Sequence, residues 1–145
     1  MKGEINVFEG EDSEGIEPDD ILQGNLGDCY FLSSVSALSE KPHLVKRLFL
    51  TRRFNKEGVY GIFLCDTGDW RLVIVDDYFP CTSHGGPAFS KGNGNELWVL
   101  LLEKAYAKIY GSYANIESGQ TLQALRDLTG APGEHLDTKN INETW

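Results

Sequence analysis

The run "NELWVLLLEKAYAKIYG", residues 95 to 111, constrains the fold most tightly. Leu97, Leu101, Lys104, Ala105 and Lys108 stand in helical register, and Gly111 follows where a C-cap glycine belongs. Other elements must pack on the apolar side of so long a helix, and the flanking sequence supplies them. "CYFLSSVSAL", 29 to 38, sets Phe31, Leu32, Val35 and Leu38 at helical spacing before Glu40, Lys41 and Pro42 end the run. "PHLVKRLFL", 42 to 50, predicts a short second helix with Pro42 in its first turn. "GVYGIFLCD" and "WRLVIVDDYFP" are rich in β-branched and aromatic residues, and the "DTGD" between them predicts a hairpin. A glycine-rich loop spans 81 to 95, and a last helix over about 120 to 129 stops at Gly130. Helices, then a hairpin, then helices predict an α+β fold dominated by helices, not a parallel α/β sheet.

The totals narrow the function. At 145 residues the chain is one domain's worth of polypeptide. A formal charge of -9 argues against nucleic acid and against an anionic membrane surface. No apolar run approaches the roughly 20 residues that span a bilayer, so no transmembrane segment is expected. "MKGEINVFEGED" has no apolar signal region. Three cysteines, Cys29, Cys65 and Cys81, suit a reducing, cytoplasmic setting, and no CxxC motif suggests zinc. Eight carboxylates face one lysine between Met1 and Asp20. That lead-in reads as irregular, either solvated and mobile or supplying oxygens to a hard cation, though not as an EF-hand.

"LQGNLGDCYFL", 22 to 32, carries the chemistry. Cysteine is most often a buried small hydrophobe. Here it opens a helix, where unpaired N–H groups and the positive dipole end favour a thiolate and can receive an oxyanion. Gln23 across the turn offers a second oxyanion donor beside the Cys29 N–H. Gly24 and Gly27 let the chain fold back sharply toward a substrate carbonyl. Asp28 beside the thiol opposes thiolate formation, so its carboxylate is expected to turn onto the helix N–H groups as an N-cap.

"QGNLGDCYFLSSVSAL" resembles the active-site segment of the calpain protease core, QGxLGDCW followed by an apolar helix. "GDWRLVIVDDYFP", "NELWVLLLEKAYAKIYGSY" and "LRDLTG" are similar to further calpain segments in the same order, so the resemblance covers roughly residues 12 to 130. It implies the first subdomain of a papain-like core, with residues 1–20 as acidic lead-in, 21–131 as subdomain and 132–145 opening a connection to a second subdomain. It implies Cys29 as nucleophile, Gln23 as oxyanion donor and Gly119 against substrate. It also implies one Ca²⁺ held by the Ser13 and Gly15 carbonyls and the Asp20 and Glu96 side chains. Tyr30 replaces the family's usual Trp, and Pro18 stands where calpains commonly carry an Arg that reports calcium binding.

A thiol protease also needs a His, and an Asn or similar group to orient it. His43, His84 and His135 lie outside the family's G-H-A-Y setting, and its "NPWG" segment is absent. The expectation is half an active site: the Cys-bearing part of an intracellular, calcium-dependent endopeptidase acting on protein substrates, inactive without the subdomain that supplies His and Asn. The alternative is an inactive calpain-like calcium-binding or adaptor module.

Overall fold

The computed structural model describes residues 5–8, 15–92 and 94–136. Four helices and one hairpin follow in order: α1 (Cys29–Ser39), α2 (Pro42–Lys46), β1 (Val59–Asp66), β2 (Asp69–Asp76), α3 (Trp98–Tyr110) and α4 (Thr121–Thr129). This is the α+β architecture the sequence implies. Helix α3 sits at its centre, because Val99 to Leu102, Ala105, Tyr106 and Ala107 are all buried and leave it no broad polar face. Phe31 of α1 stacks on Tyr106 of α3 with ring centroids 4.1 Å apart. Gly111 and Gly130 close α3 and α4 at φ +95° and +68°, left-handed positions that glycine enters without strain.

The hairpin pairs Val59 with Asp76 through to Asp66 with Asp69. Thr67 and Gly68 both take positive φ, so the turn follows the right-handed twist of its strands. Its inner face sets Tyr60 opposite Val75 and Ile62 opposite Val73, all buried under the helices. Lys104 reaches from α3 to the Asp76 carboxylate and the Tyr78 carbonyl, both at 2.5 Å, and Lys108 reaches the Ile74 carbonyl at 2.6 Å. The Lys104 ammonium holds the Asp76 carboxyl below its usual range.

Two expectations need correction. The second helix stops at Lys46, and Leu48 to Leu50 instead run along the free edge of β1. Phe63 N–H donates to the Leu48 carbonyl at 2.7 Å and Leu50 N–H to the Gly61 carbonyl at 2.9 Å. Pairing with an open sheet edge satisfies backbone groups that a further helical turn would satisfy locally, and it also buries Leu48 and Phe49. Nor is the lead-in merely solvated. Val7, Phe8 and Ile16 are buried, and Phe8 meets Phe49 edge-on at 4.9 Å. Backbone bonds also fix this segment, from Leu97 N–H to the Asn6 carbonyl and from Trp98 N–H to the Val7 carbonyl.

Candidate active site

Helix α1 begins at Cys29, whose side chain is exposed. The first helical bonds run from the Phe31 and Leu32 N–H groups to the Asp28 carbonyl, at 2.8 and 3.1 Å. No side chain caps this end. The Cys29 and Tyr30 N–H groups therefore have no acceptor among the described residues and are open to an oxyanion beside the thiol. This corrects one expectation: Asp28 occupies the N-cap position, yet its carboxylate does not cap. It is buried beside Glu103 of α3, because burying Leu26 and Phe31 on either side carries it inward with them.

Gln23 lies in the loop before the helix and is exposed. Its Nε2 donates to the Leu26 carbonyl at 3.3 Å, bracing the turn that leads to Cys29. A primary amide carries two N–H donors, so one bond to Leu26 leaves a second for a ligand. The loop is laced to the glycine-rich segment: Leu22 and Lys91 exchange backbone bonds of 3.0 and 2.8 Å, and Asn25 N–H donates to the Ala88 carbonyl. The expectation for the two glycines is corrected here. A Cβ on Gly24 would stand 1.7 Å from the Phe89 carbonyl oxygen, so Gly24 serves the approach of one backbone to another. A Cβ on Gly27 meets nothing within 4 Å.

The Gly27 carbonyl accepts the Ser118 N–H at 2.9 Å, which draws residues 118 and 119 alongside the Cys29 loop. Gly119 lies close against the Tyr30 side chain, where an added Cβ would stand 2.4 Å from Cζ. Cys29, Tyr30 and Gly119 thus meet on one side of the molecule. His43 lies in α2; His84 lies in the glycine-rich loop with Nδ1 3.3 Å from the Ser83 hydroxyl; His135 lies after α4.

The chain matches the calpain family cysteine protease model over residues 6–145. It belongs to the calpain family. It is 46% identical over 129 residues to the calpain-type cysteine protease ADL1 of rice, covering 88% of this chain and 6% of that one. It is 39% identical over 132 residues to Calpain clp-1 of Caenorhabditis elegans, covering 88% and 17%. With Calpain-10 of the rat the identity is 38% over 129 residues, covering 85% and 19%. The chain thus spans less than a fifth of each of these calpain-family relatives.

Of the cation donors the resemblance implies, Ser13 lies outside the described residues. Gly15 and the Asp20 turn stand near the start of the described chain, and Asp20 Oδ2 accepts the Glu17 N–H at 2.7 Å. Glu96 is buried two residues before α3, and its Oε2 accepts the Trp98 Nε1–H at 3.2 Å. Carboxylate and carbonyl oxygens fit a hard cation in kind. Among the described residues no three His, Cys, Asp or Glu side chains converge, so backbone carbonyls must complete any such site. No helix in the described residues is long and apolar enough to cross a membrane.

Two buried carboxyl groups beside the site escape sequence reasoning, those of Asp28 and Glu103. The available signal was α3 itself, for a glutamate flanked by Leu100–Leu102 and Ala105–Ala107 has no exposed face to occupy.

Proposed function

We propose that this chain is the nucleophile-bearing half of a cytoplasmic, calcium-dependent cysteine endopeptidase that cleaves protein substrates. The observation that carries it is the exposed Cys29 thiol at an uncapped helix start. In this reading the thiolate attacks the scissile carbonyl carbon, and the new C–S bond moves an electron pair onto oxygen. The Cys29 N–H and the Gln23 amide receive that oxyanion, with Tyr30 and Gly119 forming the wall beside it. Collapse expels the amine, which takes its proton from a His on the second subdomain, and water then hydrolyses the thioester. Calcium bound at Ser13, Gly15, Asp20 and Glu96 would hold the lead-in against the start of α3.

The test is proteolysis of a casein-type substrate. A chain carrying both subdomains is expected to cleave it, and Cys29→Ala to lower the rate by roughly 10⁴-fold or more. The 145-residue chain alone is expected to show no appreciable cleavage. Full activity in Cys29→Ala would overturn the nucleophile, and cleavage by the short chain that depends on Cys29 would overturn the division into halves.

Calcium is tested separately by calorimetry and thermal melting. Millimolar Ca²⁺ is expected to raise the melting temperature of the wild type and not that of Asp20→Ala, since a ligand that binds only the folded state stabilises it. Identical, unmoved transitions in both proteins would remove calcium from the proposal.

A further inference from the structure

Directly behind Cys29 the fold buries two carboxyl groups against each other, and the peptidase chemistry above gives them no task. Asp28 is 1% exposed and Glu103 is 2% exposed. Among the described residues, four buried side-chain polar atoms lack a hydrogen-bond partner, and three belong to this cluster: Asp28 Oδ1, Asp28 Oδ2 and Ser90 Oγ. Glu103 projects from the middle of α3 and accepts the Ser90 N–H through both oxygens, at 3.1 and 3.3 Å. The pair therefore lies where three segments meet: the tip of α1, the body of α3 and the glycine-rich loop.

The groups around it are acidic or neutral. Asp28, Glu103 and Ser90 act on one another, and no basic group pulls either carboxyl down. Tyr113, from the turn after α3, feels both carboxyls, and Tyr30 of α1 feels Asp28 and Asp127; burial leads in holding both phenols protonated. Asp76 of β2 also faces Tyr113, but Lys104 neutralises it. Two ionised carboxylates cannot share so dry a site without strong repulsion, whereas one proton between them turns repulsion into a short O–H···O⁻ bond.

We propose that Asp28 and Glu103 share a single proton, and that this acid–carboxylate bridge is the positioning element locking the Cys29 helix tip to the loop that carries Ser90. The bridge gives one of the two orphaned Asp28 oxygens a partner and leaves one negative charge, not two, beside the nucleophile. That removes much of the conflict of placing an aspartate next to a thiolate. For its catalytic meaning the bridge rests on the peptidase reading, but its existence is a property of the fold alone.

Burial, and then the Asp28 carboxyl, push Glu103 up to about 8, and burial raises Asp28 as well. The ordinary value for Glu103 is 4.5. A group with a raised folded pKa binds its proton more tightly in the folded state. Its stabilisation is therefore complete below pH 4.5, declines as pH rises, and is gone above about 8.

Glu103→Gln in the 145-residue chain tests this. Its amide donates to Asp28 and its carbonyl accepts from Ser90, copying the bridge without a titratable proton. Between pH 5 and 8 the wild-type folding constant is expected to fall relative to Glu103→Gln by up to about tenfold per pH unit. Carboxyl ¹³C NMR should show one buried acid titrating near 8 in the wild type and none in the variant. Above that pH, iodoacetamide labelling of Cys29, resolved from Cys65 and Cys81 by peptide mass, should slow severalfold relative to the variant as the second charge appears. Asp28→Asn, donating in the other direction, serves if Glu103→Gln does not fold. Carboxyl carbons that all titrate below about pH 5.5, or parallel stability curves, would overturn the shared proton. A labelling ratio constant with pH would overturn the positioning role. None of these measurements reads peptide cleavage, so the bridge and the peptidase proposal fail separately.

Discussion

Gly24→Ala is expected to destabilise the chain by about 2–4 kcal/mol, while Gly27→Ala, three residues along the same loop, changes stability by less than about 0.5 kcal/mol. Both glycines belong to the "QGNLGDC" run, and composition does not tell them apart. Contacts do. A methyl at Gly24 falls 1.7 Å from the Phe89 carbonyl oxygen and 2.3 Å from its carbon, so no rotamer change relieves it and one backbone must move. The movement breaks the two Leu22–Lys91 bonds and the Asn25–Ala88 bond, which tie the Cys29 loop to the glycine-rich segment. A methyl at Gly27 enters open space, and its φ is not in the positive region, so alanine costs no strain there. Thermal melting of the two variants reads the difference. Amide exchange at Leu22, Asn25 and Lys91 locates it, and should quicken in Gly24→Ala alone. Equal melting temperatures would mean that the two loops are not held by this contact.

That contrast also marks what a sequence can disclose here. Helices α1, α3 and α4 and the hairpin are legible because their signals are local: apolar spacing, turn glycines, and C-cap glycines at 111 and 130. The segment after Lys46 is not. Leu48, Phe49 and Leu50 extend a helical pattern plausibly, and only the free edge of β1 decides otherwise. Cys29 is legible as a reactive residue because a helix start and a preceding glycine turn are local facts. Asp28 and Glu103 are not legible as partners, since 75 positions separate them along the chain: Asp28 alone reads as an N-cap, and the apolar flanks of Glu103 signal burial without naming what it is buried against. The buried apolar residues of the lead-in escape notice for a similar reason. Val7, Phe8 and Ile16 are diluted among carboxylates, and their burial depends on partners such as Phe49 far along the chain.

Trp98→Ala is expected to cost about 3–5 kcal/mol, which lowers the melting temperature by roughly 10–15 °C in a chain of this length. Trp98 opens α3, is fully buried and is the largest such side chain in the described core. Its loss leaves a cavity in a close-packed core, and domains of this size carry only about 5–15 kcal/mol in total. The indole has a second task, because its N–H donates to Glu96 Oε2 at 3.2 Å. Trp98→Phe separates the two, keeping most of the apolar volume while removing the donor, at an expected cost of about 1–2 kcal/mol. If Phe costs as much as Ala, the hydrogen bond to Glu96 and not the packing dominates. The same variant bears on calcium: Glu96 is a proposed ligand, and Trp98 aims its carboxylate. The rise in melting temperature on adding Ca²⁺ should therefore shrink in Trp98→Phe beyond what its lower starting stability explains. An undiminished rise would show that the cation does not depend on how Trp98 orients Glu96.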